Sequence, residues 1–342
     1  MKELITKLDE SLDYKVLDMV AKWKKEKTAF NETYKIVKDI KKTLKQEDTK
    51  VAADQAKSIA KLFAVFCWAY HFYGRPDNRN KVAKLLTIAG QQAEEAKDDE
   101  AYAIVKYVTA SMLRGYGANK EAVTIMKQAL FKLKGPSIAK AHALNNLALV
   151  TLRSGHATQA KQLLEQVAKL DLSQPSKNLV ADQIIGTAEG EVKPRTQMNL
   201  SQVLKRLDDS QAAVKVAAGA LDDKETTGAP KIDIAYARIV YTEALMQNGQ
   251  YAEAEKQIKT AVATYQTIYG SDADDNFMRA LICNAEVAHQ LEKTQEATTH
   301  ASEAFTMSTQ LGYKHDHELP QRITDLDLLA DVAQAPDTVA NL

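Results

Sequence analysis

Glycine and proline are scarce, at 13 and 7 of 342 residues, where average usage is about 7% and 5%. Sandwiches and barrels need many Gly- and Pro-bearing turns, so this scarcity argues against an all-β fold. An excess charge of one sign is also missing. The 45 basic and 45 acidic residues cancel, so no bulk attraction to nucleic acid or to an anionic membrane is expected. The only cysteines are Cys67 and Cys283, each inside an apolar helical pattern. Two buried thiols in a reducing compartment are expected, rather than a disulfide. Long hydrophobic runs are absent too. The most apolar stretch, residues 62–70, is too short to cross ~30 Å of hydrocarbon. The opening MKELITKLDE lacks the apolar core of a signal peptide, which suggests a cytoplasmic protein.

What is present is helix. Charged residues make up 26% and hydrophobic ones 45%, a globular rather than disordered balance. Alanine, the best helix former, occurs about fifty times. Leu4, Leu8, Leu12, Val16, Val20 and Trp23 recur every three or four residues, as one face of a helix does. A second helix is read near residues 33–44, with Ile36, Ile40 and Leu44 on one face. A polar connection, residues 45–50, follows.

From there a pattern repeats. It runs Leu147-Ala148, Leu152, Gly155, Ala160 and Leu164, then again as Tyr241-Thr242, Leu245, Gly249, Ala254 and Ile258. Thr109-Ala110, Leu113, Gly117, Ala122 and Met126 form a third copy. A fourth has Ala285, Ala288 and Ala297, with Glu292 where the glycine would stand. With weaker copies at Ala83 and Ala213, the anchoring alanines are spaced 39, 38, 53, 41 and 43 residues apart. Small residues let paired helices approach closely, and a glycine closes the first helix of each pair. One pair cannot bury its apolar face alone, whereas stacked pairs share a core.

This pattern resembles the tetratricopeptide repeat family, most closely over residues 141–170, AHALNNLALVTLRSGHATQAKQLLEQVAKL, and 235–265, AYARIVYTEALMQNGQYAEAEKQIKTAVATY. The family's usual Trp is absent, and its closing Pro is displaced to Pro136 or Pro175. The long spacings look like those of kinesin-light-chain-like repeats. The resemblance implies an all-α, α-α superhelix. The expected organisation is an N-terminal helical pair over residues 1–48, a repeat solenoid over 49–312, and an acidic capping helix and tail over 313–342. The cap is read as a helix at 320–332 that includes Arg322, Ile323, Leu326 and Leu329. The 53-residue spacing contains extra chain at 174–199, with Pro175, Gly186, Gly190 and Pro194. It reads either as a loop on one face or as a lengthened helix kinked at Pro194.

Chemical motifs are few. No Gly-rich phosphate loop, HExxH or Gly-x-Ser-x-Gly occurs. The sole cluster of His and acidic residues, His315, Asp316, His317 and Glu318, offers two imidazoles but no third nearby ligand, as a catalytic zinc site needs. It reads as a polar loop, and no cofactor or metal is expected. Trp68, Tyr70, Phe72 and Tyr73 read as core packing.

The remaining candidate is a groove. In such solenoids the first helix of each pair lines the inner face. The register places Arg114, Asn145, Asn146, Leu149, Arg153, Asn199, Arg206, Glu243, Gln247 and Glu286 there, with Arg279 beside them. Carboxamides both donate and accept, matching the backbone of an extended peptide. Arg offers a fork for carboxylates. The expectation is a non-catalytic scaffold that binds a peptide or protein segment, without direct nucleic-acid or membrane binding. Nothing indicates a homo-oligomer. Two alternatives stand beside it. One is a signalling-peptide receptor of the Rap type, which pairs an N-terminal effector module with a repeat domain. The other is a metal-assisted enzyme using His315 and His317.

Overall fold

The computed structural model describes residues 1–12, 27–46, 51–73, 79–115, 118–172, 192–312 and 318–326. Among these, regular structure is helical throughout. Two compact units are formed, Met1–Leu207 and Asp208–Leu342. The first contains α1 (Lys2–Ser11), α2 (Lys27–Leu44), α3 (Ala53–Tyr73), α4 (Arg79–Glu95), α5 (Asp99–Gly115), α6 (Asn119–Lys132), α7 (Ile138–Arg153), α8 (Ala157–Ala168) and α9 (Lys193–Arg206). The second contains α10 (Ser210–Thr226), α11 (Lys231–Gln247), α12 (Tyr251–Tyr269), α13 (Asp275–Gln290), α14 (Thr294–Gln310) and α15 (Glu318–Thr324). The division between them falls between residues 207 and 208. The weak copy aligned on Ala213 is divided, with α9 in the first unit and α10 in the second.

Within each unit the chain packs largely onto what precedes it. α5 pairs with α6 and α7 with α8, while α3, α5, α7 and α9 also touch in succession. In the second unit α11 pairs with α12 and α13 with α14, and α11, α13 and α15 touch in succession. The small residues explain this. Ala110 and Ala122, Ala148 and Ala160, Thr242 and Ala254, and Ala285 and Ala297 are all buried. Each pair lies twelve positions apart across a turn, where larger side chains would hold the helices away from each other.

The turns obey one backbone rule. Gly155 and Gly249 have φ of 85° and 72°, the left-handed conformation that closes a helix. At the equivalent positions Asp208 and Glu292 adopt φ of 57° and 60°. Glycine is therefore replaced in sequence but not in conformation. The backbone bonds are also kept. Gly249 donates to Met246 and Gln250 to Leu245, as Glu292 donates to His289 and Lys293 to Ala288.

The N-terminal helices share a core with the chain that follows. Leu8 and Leu12 of the first segment, and Val37 and Ile40 of α2, share one hydrophobic cluster with Ile59, Phe63 and Phe66 of α3. Tyr34 stacks on Phe66 at 6.1 Å between ring centroids. Burying such side chains is worth about 1.5–3 kcal/mol each. Cys67 and Cys283 are buried free thiols, as their apolar setting led us to expect. Pro194 lies in the first turn of α9, where a missing N–H costs nothing. It starts a helix, which corrects the reading of a kink. The rest of the inserted chain, residues 173–191, lies outside the described residues, as do the first aromatic cluster's side chains and residues 13–26.

Candidate functional site

In the first unit, three first helices present polar side chains to one another. Asn146 of α7 donates through Nδ2 to Ser111 Oγ at 2.6 Å and to the Tyr107 carbonyl at 3.4 Å, both on α5. On the other side, Asn145 Nδ2 donates to Thr196 Oγ1 at 3.0 Å, and Asn145 Oδ1 accepts from Asn199 Nδ2 at 3.0 Å. Thr196 in turn donates to the Val192 carbonyl at 2.7 Å. Asn145, Asn146 and Asn199 are only 2%, 6% and 5% exposed. Buried carboxamides must be bonded, and this ladder satisfies them between α5, α7 and α9. Next to it, Arg195 Nη1 donates to Tyr107 Oη at 3.3 Å, and the Tyr107 and His142 rings lie 5.2 Å apart.

The second unit carries charge in the same place. Glu243 of α11 is 9% exposed and accepts from Arg279 of α13 at 2.8 and 2.7 Å. Arg279 also donates to Tyr236 Oη at 3.3 Å. Arg322 of α15 donates to both oxygens of Glu286, at 2.8 and 2.6 Å. Its Nη1 lies 3.6 Å from Glu243 Oε1, and its Nη2 lies 3.5 Å from Cys283 Sγ. Two carboxylates thus face two guanidinium groups. Burial opposes the charge on Arg279, but the Glu243 carboxylate outweighs it and holds the guanidinium above its ordinary value. Burial pushes the Cys283 thiol up to about 12.

The expected groove residues therefore fall into two sets. Asn145, Asn146, Asn199 and Glu243 are buried and engaged with neighbouring helices. Arg153, Arg206 and Gln247 are exposed, while Arg114, Leu149 and Glu286 are half-buried. The helix-to-helix partners Thr196 and Arg322 did not stand out in the sequence as site residues. For Arg322 a signal existed: it lies as far from Arg279 as Glu286 lies from Glu243. His315, Asp316 and His317 lie outside the described residues, as does the side chain of Glu318. Among the described residues no group of three or more metal-ligating side chains is found. No described helix is long and apolar enough to cross a membrane.

No curated protein matches the sequence. Residues 243–275 match the tetratricopeptide repeat family. Among solved structures, a Rap protein complexed with Competence and Sporulation Factor is similar at 14% identity and a TM-score of 0.55, over 97% of this chain and 89% of that one. A tetratricopeptide repeat protein from Parabacteroides merdae is similar at 8% identity and a TM-score of 0.53, over 93% of this chain and 99% of that one. The apo form of RapI is similar at 11% identity and a TM-score of 0.51, over 95% and 81%. Residues 243–275 thus match the tetratricopeptide repeat family, and the helical fold of the described residues is similar to that of a tetratricopeptide repeat protein.

Proposed function

We propose that this protein is a non-catalytic scaffold that binds an extended peptide or protein segment along the first helices of its repeats. The observation that supports the reading is the ladder of Asn146, Asn145 and Asn199, which ties α5, α7 and α9 to one another. Exposed Arg153 and Arg206 and half-buried Arg114 and Leu149 lie on the same helices. The buried carboxamides hold these helices in register. The guanidinium groups take carboxylates of the bound segment, and Leu149 offers an apolar contact. In the second unit Glu243, Gln247 and Glu286 belong to the equivalent face.

The test is co-purification from the native host followed by mass spectrometry, comparing the natural chain with Arg153→Glu plus Arg206→Glu. Both side chains are exposed, and circular dichroism checks that the fold is retained. Loss of specific partners supports the reading, and an unchanged partner list overturns it. A second reading, an intracellular receptor for a signalling peptide, is favoured by the fold shared with the Rap protein over 97% of the chain. Its test is the gene neighbourhood. A small secreted-peptide gene beside this one, whose synthetic product binds at micromolar concentration or better, decides for it. Absence of binding by such a product decides against it.

A further inference from the structure

The charged contacts of the second unit recur along the chain. Arg279 reaches back 36 positions to Glu243, and Arg322 reaches back 36 positions to Glu286. Arg322 thus stands to α13 as Arg279 stands to α11, and α15 sits where the first helix of a further pair would be. Yet α15 has only seven residues. Of its described side chains, Ile323 is fully buried and Arg322 half-buried, while Gln321 and Thr324 are exposed. Among its described side chains, Ile323 supplies the apolar anchor and Arg322 the guanidinium. A helix this short has little stability of its own in water, so its place depends on its packing against α13 and α14.

The surroundings of Arg322 suit a guanidinium specifically. Both Glu286 oxygens accept from it, Glu243 Oε1 lies 3.6 Å from Nη1, and Cys283 Sγ lies 3.5 Å from Nη2. Two parallel N–H donors and a planar head fit this arrangement, and the compact ammonium of a lysine does not. Glu243 and Glu286 are also the second unit's acidic residues on the face assigned above to ligand binding. Resting on that reading, we propose that α15 is an internal ligand: Arg322 fills a guanidinium seat made by Glu243, Cys283 and Glu286, and an arginine of a partner segment takes its place, releasing α15. The seat stays charge-balanced after the exchange, because one guanidinium replaces another. The partner is therefore a segment that presents an arginine, and α15 sets the concentration at which it enters.

The test uses the full chain and acetyl-arginine amide as the probe, with acetyl-lysine amide as its control. Calorimetry measures binding, and amide exchange over residues 318–326 reports release of α15. Arg322→Ala is expected to bind the arginine probe at least tenfold more tightly than the natural chain, and the lysine probe without that gain. Adding Glu286→Gln removes the gain. Saturating arginine probe speeds exchange at 318–326 in the natural chain. Equal affinity of the natural chain and Arg322→Ala, or equal binding of both probes, overturns the proposal. Where circular dichroism finds Arg322→Ala unfolded, Arg322→Gln keeps the three-carbon stem without the guanidinium and carries the same comparison. The two readings fail separately. A seat that behaves as expected, with partners unchanged by the Arg153 and Arg206 substitutions, refutes the first-unit groove alone. Lost partners without arginine preference refute the seat alone.

Discussion

Asn145→Ala measures how much of the first unit depends on its polar ladder. The natural carboxamide donates to Thr196 Oγ1 and accepts from Asn199 Nδ2, both at 3.0 Å. Alanine leaves the buried Asn199 N–H without this acceptor, a penalty of about 1–3 kcal/mol. The vacated volume adds about 1 kcal/mol, so the expected loss is about 3 kcal/mol. Asn199→Ala removes the donor instead and strands the Asn145 oxygen, with a similar effect. The double substitution removes both partners, and its cost falls short of the sum by about 1 kcal/mol. Urea unfolding of the four proteins measures the cycle, with amide exchange localising it to α7 and α9, because repeat arrays need not unfold as one unit. Additive single effects, or a single loss below about 0.5 kcal/mol, refute the inference that these bonds join the helices.

Other consequences follow from the same structure. Gly249 has φ of 72° and open space around an added Cβ, so Gly249→Ala is expected to cost about 1–2 kcal/mol from the backbone alone. Glu292→Gly, at φ of 60°, should leave the melting temperature unchanged or raise it. Glu243→Gln strips the carboxylate from Arg279 and is expected to destabilise the second unit by about 3 kcal/mol, which denaturant titration checks. Burial opposes the charge of Asp98, but its hydrogen bonds from Lys57 and from the Ala101 N–H outweigh this and hold the carboxyl below its ordinary range. Its contribution is therefore complete above the unfolded carboxylate value of about 3.9 and is lost as pH falls through the lower folded value. The stability gap between the natural chain and Asp98→Asn should close on acidification; a gap that widens is the opposite sign. Cys67 and Cys283 are buried, and Cys283 titrates near 12, so thiol reagents at pH 8 should label neither before unfolding. Rapid labelling of the native protein contradicts their burial.

Much of the fold was legible because its signals are local. Apolar spacing marks a helix from within a single turn or two, and α5 to α8 and α11 to α14 follow it. The anchoring alanines at 122, 160, 254 and 297 are buried where the repeat pattern puts them. The missing glycine at Glu292 looked like a departure, but the turn is retained because a non-glycine residue can hold a left-handed φ at a cost of about 1–2 kcal/mol. The candidate site was legible only in part. Residue type and helix face indicated Asn145, Asn146 and Asn199, but a step of one residue turns a helix face by about 100°. Such a step separates a side chain that faces an open surface from one wedged against the next helix.

From its sequence alone the chain determined its helical class, its repeating pairs and the positions of its turns, since each depends on residues within a few turns of one another. The tertiary structure alone decided which polar groups meet. Asn145 joins Thr196 across 51 positions, and Asn199 across 54. Arg322 reaches Glu286 across 36. Those partners are chosen by how successive first helices pack, and by the need of every buried donor and charge for a counterpart once water is excluded. That packing, rather than any single motif, turned polar residues of the first helices into a hydrogen-bonded ladder in one unit and a set of paired charges in the other.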